Sequence, residues 1–267
     1  MKSLKDIDMN EILQRIEQLK ELSKTEEFQS TRPKIIYNCI KCSDNQGYVI
    51  KRDGIEYYVR CECFSKTINQ RLITASHITN EFRLKTFSKF SLEWLDEKVR
   101  KAHRASIDYA LKFDDIKLLR ANSIALLGQS GAGKTHLLTA IANQLLDKGV
   151  QVLYFPFVEG FNELKSDFDN LNNRIEKLQR AEVLFIDDLF KGRKENTPFQ
   201  IEQMFAVVNY RYMNNLPMLI SSEKSVDELL RIDEALGSRI YEMSKSFTIE
   251  LVGSNINYRM RDTGEEE

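Results

Sequence analysis

One eight-residue stretch, Gly128-Gln-Ser-Gly-Ala-Gly-Lys-Thr135, restricts the fold of this chain more than any other. It fills the pattern G-x-x-x-x-G-K-[ST] at every position. Such a loop works between an apolar strand and a helix. Its glycines adopt backbone conformations closed to other residues and turn N–H groups inward, and the helix start adds the positive end of its dipole. Both flanks are present, an apolar strand over Ser123–Leu127 and a helical pattern over Gly133–Leu146. The motif therefore predicts a cradle for the phosphates of ATP. Lys134 would reach the β- and γ-phosphates, and Thr135 would hold Mg²⁺ through its hydroxyl. Gln129, Ser130, Gly131, Ala132 and Gly133 complete the cradle, and His136, just inside the helix, packs near the nucleotide.

After the loop the pattern alternates. Strands are expected at Val150–Phe155, Val183–Asp187, Met218–Ser222 and Phe247–Leu251, and helices at Phe161–Gln179, Phe199–Met213 and Val226–Leu236. Five strands alternating with helices mean an α/β fold, a mostly parallel five-stranded sheet covered on both faces. In Val183-Leu-Phe-Ile-Asp187-Asp188, two carboxylates emerge at the C-terminal end of a buried strand, where ligands of such sheets bind. Asp187 would hold Mg²⁺ through water. Asp188 would polarise the attacking water as general base, or else cap the next segment. A dedicated base for water favours a nucleotide hydrolase over a small-molecule kinase. Ser221-Ser222-Glu223 ends the next strand; if that strand lies between the two motif strands, Ser222 or Glu223 would face the γ-phosphate and sense hydrolysis. Arg239, in Leu236-Gly-Ser-Arg-Ile240, either neutralises the transferring phosphoryl group from a neighbouring subunit or makes a surface salt bridge. Arg259 and Arg261 touch nucleotide or DNA, or belong to a solvated tail. The same choice holds for Lys191, Arg193 and Lys194, between DNA contacts and a solvated loop.

The N-terminal part is of another kind. Cys39 and Cys42 are separated by eighteen residues from Cys61 and Cys63. A hairpin pattern, Tyr48-Val-Ile and Tyr57-Tyr-Val around Lys51-Arg-Asp-Gly54, lies between the pairs. Four thiolates at this spacing suit structural Zn²⁺ with no open coordination position; buried free thiols or a redox pair are the alternatives. Leu4, Ile7, Ile12, Leu13, Ile16, Leu19 and Leu22 make one apolar helical stripe, which packs on its own domain or docks a partner. A further helix is expected at Ile68–Ile78 and two helical patterns at residues 91–120. With 42% hydrophobic and 30% charged residues and a formal net charge of −1, the chain reads as globular, and bulk basicity does not announce nucleic acid. No apolar run approaches the ~18 residues of a membrane span. The charged start, Met1-Lys-Ser-Leu-Lys-Asp, is unlike a secretion signal, so a cytoplasmic protein with no membrane partner is expected. The expected organisation is an N-terminal helix and zinc module over residues 1–70, a linker over 71–90, an ATPase domain over 91–262 and an acidic tail over 263–267.

The cysteine module, the segment Ile78-Thr-Asn-Glu-Phe-Arg-Leu-Lys-Thr-Phe87, the motifs GQSGAGKT, LFIDDLF and ISSEKS, and an end soon after the last strand occur together. In this combination the sequence resembles the replicative helicase loaders of bacteria and phages, the DnaC/DnaI type of AAA+ ATPase. The resemblance implies an AAA+ P-loop fold, an N-terminal module that binds a hexameric replicative DNA helicase, and an ATPase domain that binds ATP and single-stranded DNA. It implies self-association through that domain, with Arg239 as the finger reaching the next subunit's ATP. It carries the phosphate-loop roles onto Gly128, Gly131, Gly133, Lys134 and Thr135, and the acidic roles onto Asp187 and Asp188. Glu223 stands where the family often has Asn. An ATPase helper of a transposase, IstB-like, shares the same core and is the nearest rival. A metabolic P-loop kinase and a regulator that binds nucleotide without turnover are the others.

Overall fold

The computed structural model describes residues 14–18, 37, 39–45, 47–63, 78–92, 96–192, 196–254 and 256–260. The chain divides into two compact units, Met1–Phe64 and Ser65–Glu267. In the first, β1 (Gly47–Arg52) pairs antiparallel with β2 (Ile55–Arg60), from Gly47 opposite Arg60 to Arg52 opposite Ile55. The turn between them is Asp53-Gly54, with φ of 52° and 80°. Two central residues in the left-handed region match the twist of a tight hairpin, and Asp and Gly are residues that tolerate it. Of the apolar stripe over 4–22, residues 14–18 are helical; the remainder lies outside the described residues, as do residues 68–77 of the helix expected at Ile68–Ile78 and the tail 263–267.

The second unit begins with α1 (Asn80–Arg83) and α2 (Glu97–Ile116), followed by β3 (Ile124–Gly128), α3 (Lys134–Asp147), β4 (Val152–Pro156), α4 (Phe157–Ser166) and α5 (Leu171–Arg180). Then come β5 (Val183–Leu189), α6 (Pro198–Met213), β6 (Met218–Ser222), α7 (Val226–Ile232), α8 (Glu234–Ser244) and β7 (Thr248–Leu251). The five strands form one parallel sheet in the order β4-β5-β6-β3-β7. Successive strand residues face opposite sides, so each strand feeds two cores. Ile124 and Leu126 join Leu219 and Phe185 under α2 and α3. Ala125 and Leu127 join Ile220 and Ile186 under the helices of the other face. No described helix is long and apolar enough to cross a membrane.

Three helical expectations are corrected. The single helix over Phe161–Gln179 is two, α4 and α5. They part at Asp167, where φ is −139° and ψ 65°. Its carboxylate accepts from Asn170 Nδ2 at 2.9 Å and pairs with Arg174 at 3.3 Å, local bonds that compete with helix continuation. Phe168 accordingly leaves the apolar stripe and is exposed. The helix over Val226–Leu236 is also two, because Asp233 turns to an extended conformation and caps α8 by accepting from the Leu236 N–H at 2.7 Å. The described residues of 91–120 hold one long helix, α2, started by the Asp96 cap, where two patterns were expected.

Residues 78–90, the second half of the expected linker, are packed. Arg83 bonds Asn143 Oδ1 at 2.9 Å and pairs with Asp147 at 2.8 Å. Asn143 in turn donates to the carbonyls of Phe82 and Lys85, at 3.0 and 2.9 Å. The segment is thus stapled to α3, the helix that carries the phosphate loop. On the opposite face Arg211 is wholly buried and donates to the carbonyls of Leu178, Ala181 and Pro217 at 3.0, 2.8 and 2.6 Å. It ties the end of α5 to the entries of β5 and β6, with backbone carbonyls in place of a carboxylate.

Candidate nucleotide site

The strand β3 ends where a side chain cannot follow. Gly128 has φ 107°, and a Cβ there would stand 2.4 Å from the Leu251 carbonyl oxygen. Gly133, at φ 82°, opens α3, and no side chain caps it, so the first N–H groups of that helix face outward. In front of them lies a cavity of about 270 Å³. Its walls carry Lys85, Lys89, Lys134, Lys191 and Arg259 against one carboxylate, Asp188. That charge balance, beside free helix N–H groups, selects a polyanion. The Lys134 ammonium donates to the carbonyls of Gly128 and Gln129 at 2.7 and 2.8 Å. Burial pulls its pKa down, with Asp188 acting in the other direction. A phosphate oxygen would offer this desolvated charge a charged partner that the loop carbonyls cannot.

Asp187 is buried and accepts three hydroxyl hydrogen bonds, from Ser221 at 2.5 Å, Thr135 at 2.9 Å and Tyr154 at 3.1 Å. Burial pushes its carboxyl up, and the Ser221 bond works against that. The meeting of Thr135 and Asp187 sets a hydroxyl and a carboxylate, both hard oxygen donors, beside the loop, a fit to Mg²⁺. When bound, Mg²⁺ would offset charge on the phosphates.

Asp188 sits on a bulge. Ile186 pairs with Ile220 and Leu189 with Ser222, so Asp187 and Asp188 together oppose Ser221. Asp188 has φ 56°, unusual for a residue with a side chain, and this turns its carboxylate into the cavity wall. One hydroxyl holds the distortion. Ser221 Oγ donates to Asp187 and accepts from the Asp188 N–H at 2.7 Å.

The structure thus brings the loop residues, Thr135, Asp187 and Asp188 together. It also places β6 between β3 and β5, the condition set for a sensing group at its tip. Of the two candidates for that task, Ser222 points its hydroxyl at the protein's own backbone. It is buried, donates to the Leu189 carbonyl at 2.6 Å and accepts from the Lys224 N–H at 3.1 Å. Glu223 lies 3.6 Å from Lys191. Ser221 was missed, although strand alternation could have found it, since it shares the face of Leu219, which packs under α3. Tyr154 was also missed. Ser221→Ala should raise the Mg²⁺ concentration needed for half-maximal nucleotide turnover about tenfold or more, because it removes a hydrogen bond to a buried charge. A turnover curve against Mg²⁺ identical to that of the unaltered protein would remove Ser221 from the site.

His136 lines the cavity and bonds the Thr86 carbonyl at 2.9 Å through Nε2, joining the 78–90 segment to α3. Arg259 lines the cavity, and the Tyr258 N–H donates to the Gly131 carbonyl at 3.0 Å. Arg239 is elsewhere. It donates to Asn209 Oδ1 at 3.0 Å and the Ala235 carbonyl at 2.7 Å, and lies 5.3 Å from each of the Phe205 and Tyr212 rings. Its own chain's cavity does not include it, and neutral groups rather than a carboxylate hold it among the described residues. Arg193, Lys194 and Arg261 lie outside the described residues.

In the first unit the four cysteine sulfurs converge within 4.8 Å of one another, with Cys39 to Cys61 at 3.7 Å and Cys42 to Cys63 at 3.3 Å. Tetrahedral zinc with Zn–S bonds of about 2.3 Å puts sulfurs about 3.8 Å apart, so the cluster fits the ion. The Cys42 backbone N–H is the main cause drawing the Cys39 thiol down to about 7. Metal analysis should find about one zinc per chain, lost in Cys39→Ser or Cys61→Ser. A native, folded, metal-free protein would contradict the site.

A family described as "IstB-like ATP binding protein" matches residues 102–242. The phage-like element PBSX protein XkdC of Bacillus subtilis (strain 168) is 45% identical over 230 residues, which cover 84% of this chain and 86% of XkdC. Two solved structures share the fold. DnaI matches with a TM-score of 0.56 at 24% identity, over 70% of this chain and 99% of DnaI. The DnaC helicase loader matches with a TM-score of 0.55 at 20% identity, over 65% of this chain and 100% of the loader.

Proposed function

This chain belongs to the IstB-like ATP-binding family and has the AAA+ fold of the DnaC/DnaI type, and from that premise we propose that it hydrolyses ATP to load a replicative DNA helicase onto single-stranded DNA. Lys134 and the loop amides hold the phosphates, Thr135 and Asp187 hold Mg²⁺, and Asp188 takes the proton of the attacking water. ATP binding and hydrolysis then time helicase capture and release, since each changes how neighbouring ATPase domains pack. Arg239 serves the ATP of the next subunit. The N-terminal residues 1–70 dock on the hexameric helicase, and the protein works in the cytoplasm.

One observation carries the loader reading. Four converging thiols flank a hairpin whose Val49, Ile55 and Tyr58 side chains are exposed, ahead of a nucleotide site in the same chain. A hairpin with apolar side chains in water is suited to docking on a protein. The family description favours a second reading, an ATPase helper of a transposase. Gel filtration of the full chain with ATP separates the two. Co-elution with the hexameric replicative helicase supports the loader; co-elution with a transposase and not with the helicase supports the helper.

A further inference from the structure

The carboxylate expected to activate water is already engaged. Lys191 donates to Asp188 Oδ2 at 2.7 Å and lies 3.6 Å from Glu223. The backbone fixes where this lysine starts. Phe190 is buried in the core at φ 58°, the Lys191 N–H closes on the Asp188 carbonyl at 2.9 Å, and Gly192 follows at φ 120°. Its ammonium is less constrained. The side chain is 37% exposed and lines the phosphate cavity and also a neighbouring cavity of about 540 Å³ that includes Tyr154 and Asp187. It therefore stands on a wall common to both, within reach of two competing anions on its own chain and facing the space where a polyphosphate would lie.

The ammonium occupies Oδ2 of Asp188 and ties the carboxylate to its own chain, so that oxygen is not open to a water molecule. When Lys191 lets go, both oxygens of Asp188 are open to the attacking water. The terminal phosphate of ATP carries more charge than a carboxylate and offers three acceptor oxygens, so it outcompetes Asp188 for the ammonium. ADP lacks that group. We propose that Lys191 reads the γ-phosphate: it restrains Asp188 in the nucleotide-free site, and transfers to the terminal phosphate of ATP, freeing the base where hydrolysis is wanted. Glu223 keeps the ammonium near during the exchange and returns it when phosphate leaves, a role for an acid at a position where the resemblance had suggested Asn. The inference rests on the ATP-hydrolysing reading of the site.

Its test is nucleotide discrimination, measured by calorimetry on the full chain with a non-hydrolysable ATP analogue and with ADP. Lys191→Ala should weaken the analogue about tenfold or more, the size of a lost hydrogen bond to a charged group, and leave ADP within about twofold. Lys191→Arg, which keeps the charge, should retain the preference for the analogue. Equal loss for both nucleotides, no loss for either, or an arginine variant as weak as the alanine one overturns the role of Lys191 while the nucleotide site stands. An unaltered protein that binds neither nucleotide overturns the site itself, and Lys191 with it.

Discussion

Replacing Lys134 with alanine is expected to lower the affinity for ATP by at least about a hundredfold. The reason is the state of the ammonium. It is desolvated and, among the described residues, bonded to the Gly128 and Gln129 carbonyls, which offer it partial charge. With phosphate present it gains a full charge partner in a place where water screens little, and breaking such a pair costs about 3–5 kcal/mol. The fold should survive the change. Lys134 makes no ion pair among the described residues, and removing a buried charge relieves its desolvation, so the melting temperature without nucleotide should not fall. Calorimetric titration with ATP and thermal unfolding without it check the two halves. Unchanged affinity would show that the loop does not hold phosphate.

Asp188→Asn should do the reverse, keeping ATP affinity and slowing hydrolysis by about 10²–10⁴, the range attributed to a positioned general base. Asparagine is a fair probe here for a backbone reason. Asp188 sits at φ 56°, a conformation that Asn tolerates well, so the bulge and its bond to Ser221 should persist. Single-turnover kinetics beside equilibrium binding separate chemistry from affinity. Normal turnover in this variant would remove Asp188 from the role of base, and lost binding would mean that the bulge had collapsed.

The parts of the site that lie in contiguous sequence were readable without a structure. The phosphate loop needs glycines at fixed offsets, and a buried strand ending in two acids announces itself by composition. What was hidden depends on geometry across strands. The bulge at Asp187 and Asp188 exists because two residues share one partner, Ser221, and no spacing within β5 reveals that. The place of Ser221 follows from the period of two in β6, which sets it on the face of Leu219. The helix breaks at Asp167 and Asp233 were missed because an aspartate on a polar face fits a helical period until its carboxylate captures a local donor. Lys191 read as a loop charge because its partner, Asp188, only faces it after the backbone has turned through Phe190. The five strands, by contrast, followed directly from apolar runs bounded by turns, and the expected limits agree with the observed ones to within two residues.

The claim that joins the two units is that ATP times the delivery of a helicase to DNA. Its most direct measurement uses closed circular single-stranded DNA, onto which a hexameric ring cannot thread from an end. The replicative helicase, the full chain and ATP are mixed with the circle, and helicase that stays on the DNA is separated and counted. The account predicts retention that requires the chain and ATP and disappears with Lys134→Ala. Helicase retained equally with and without the chain, at every nucleotide state, would contradict it.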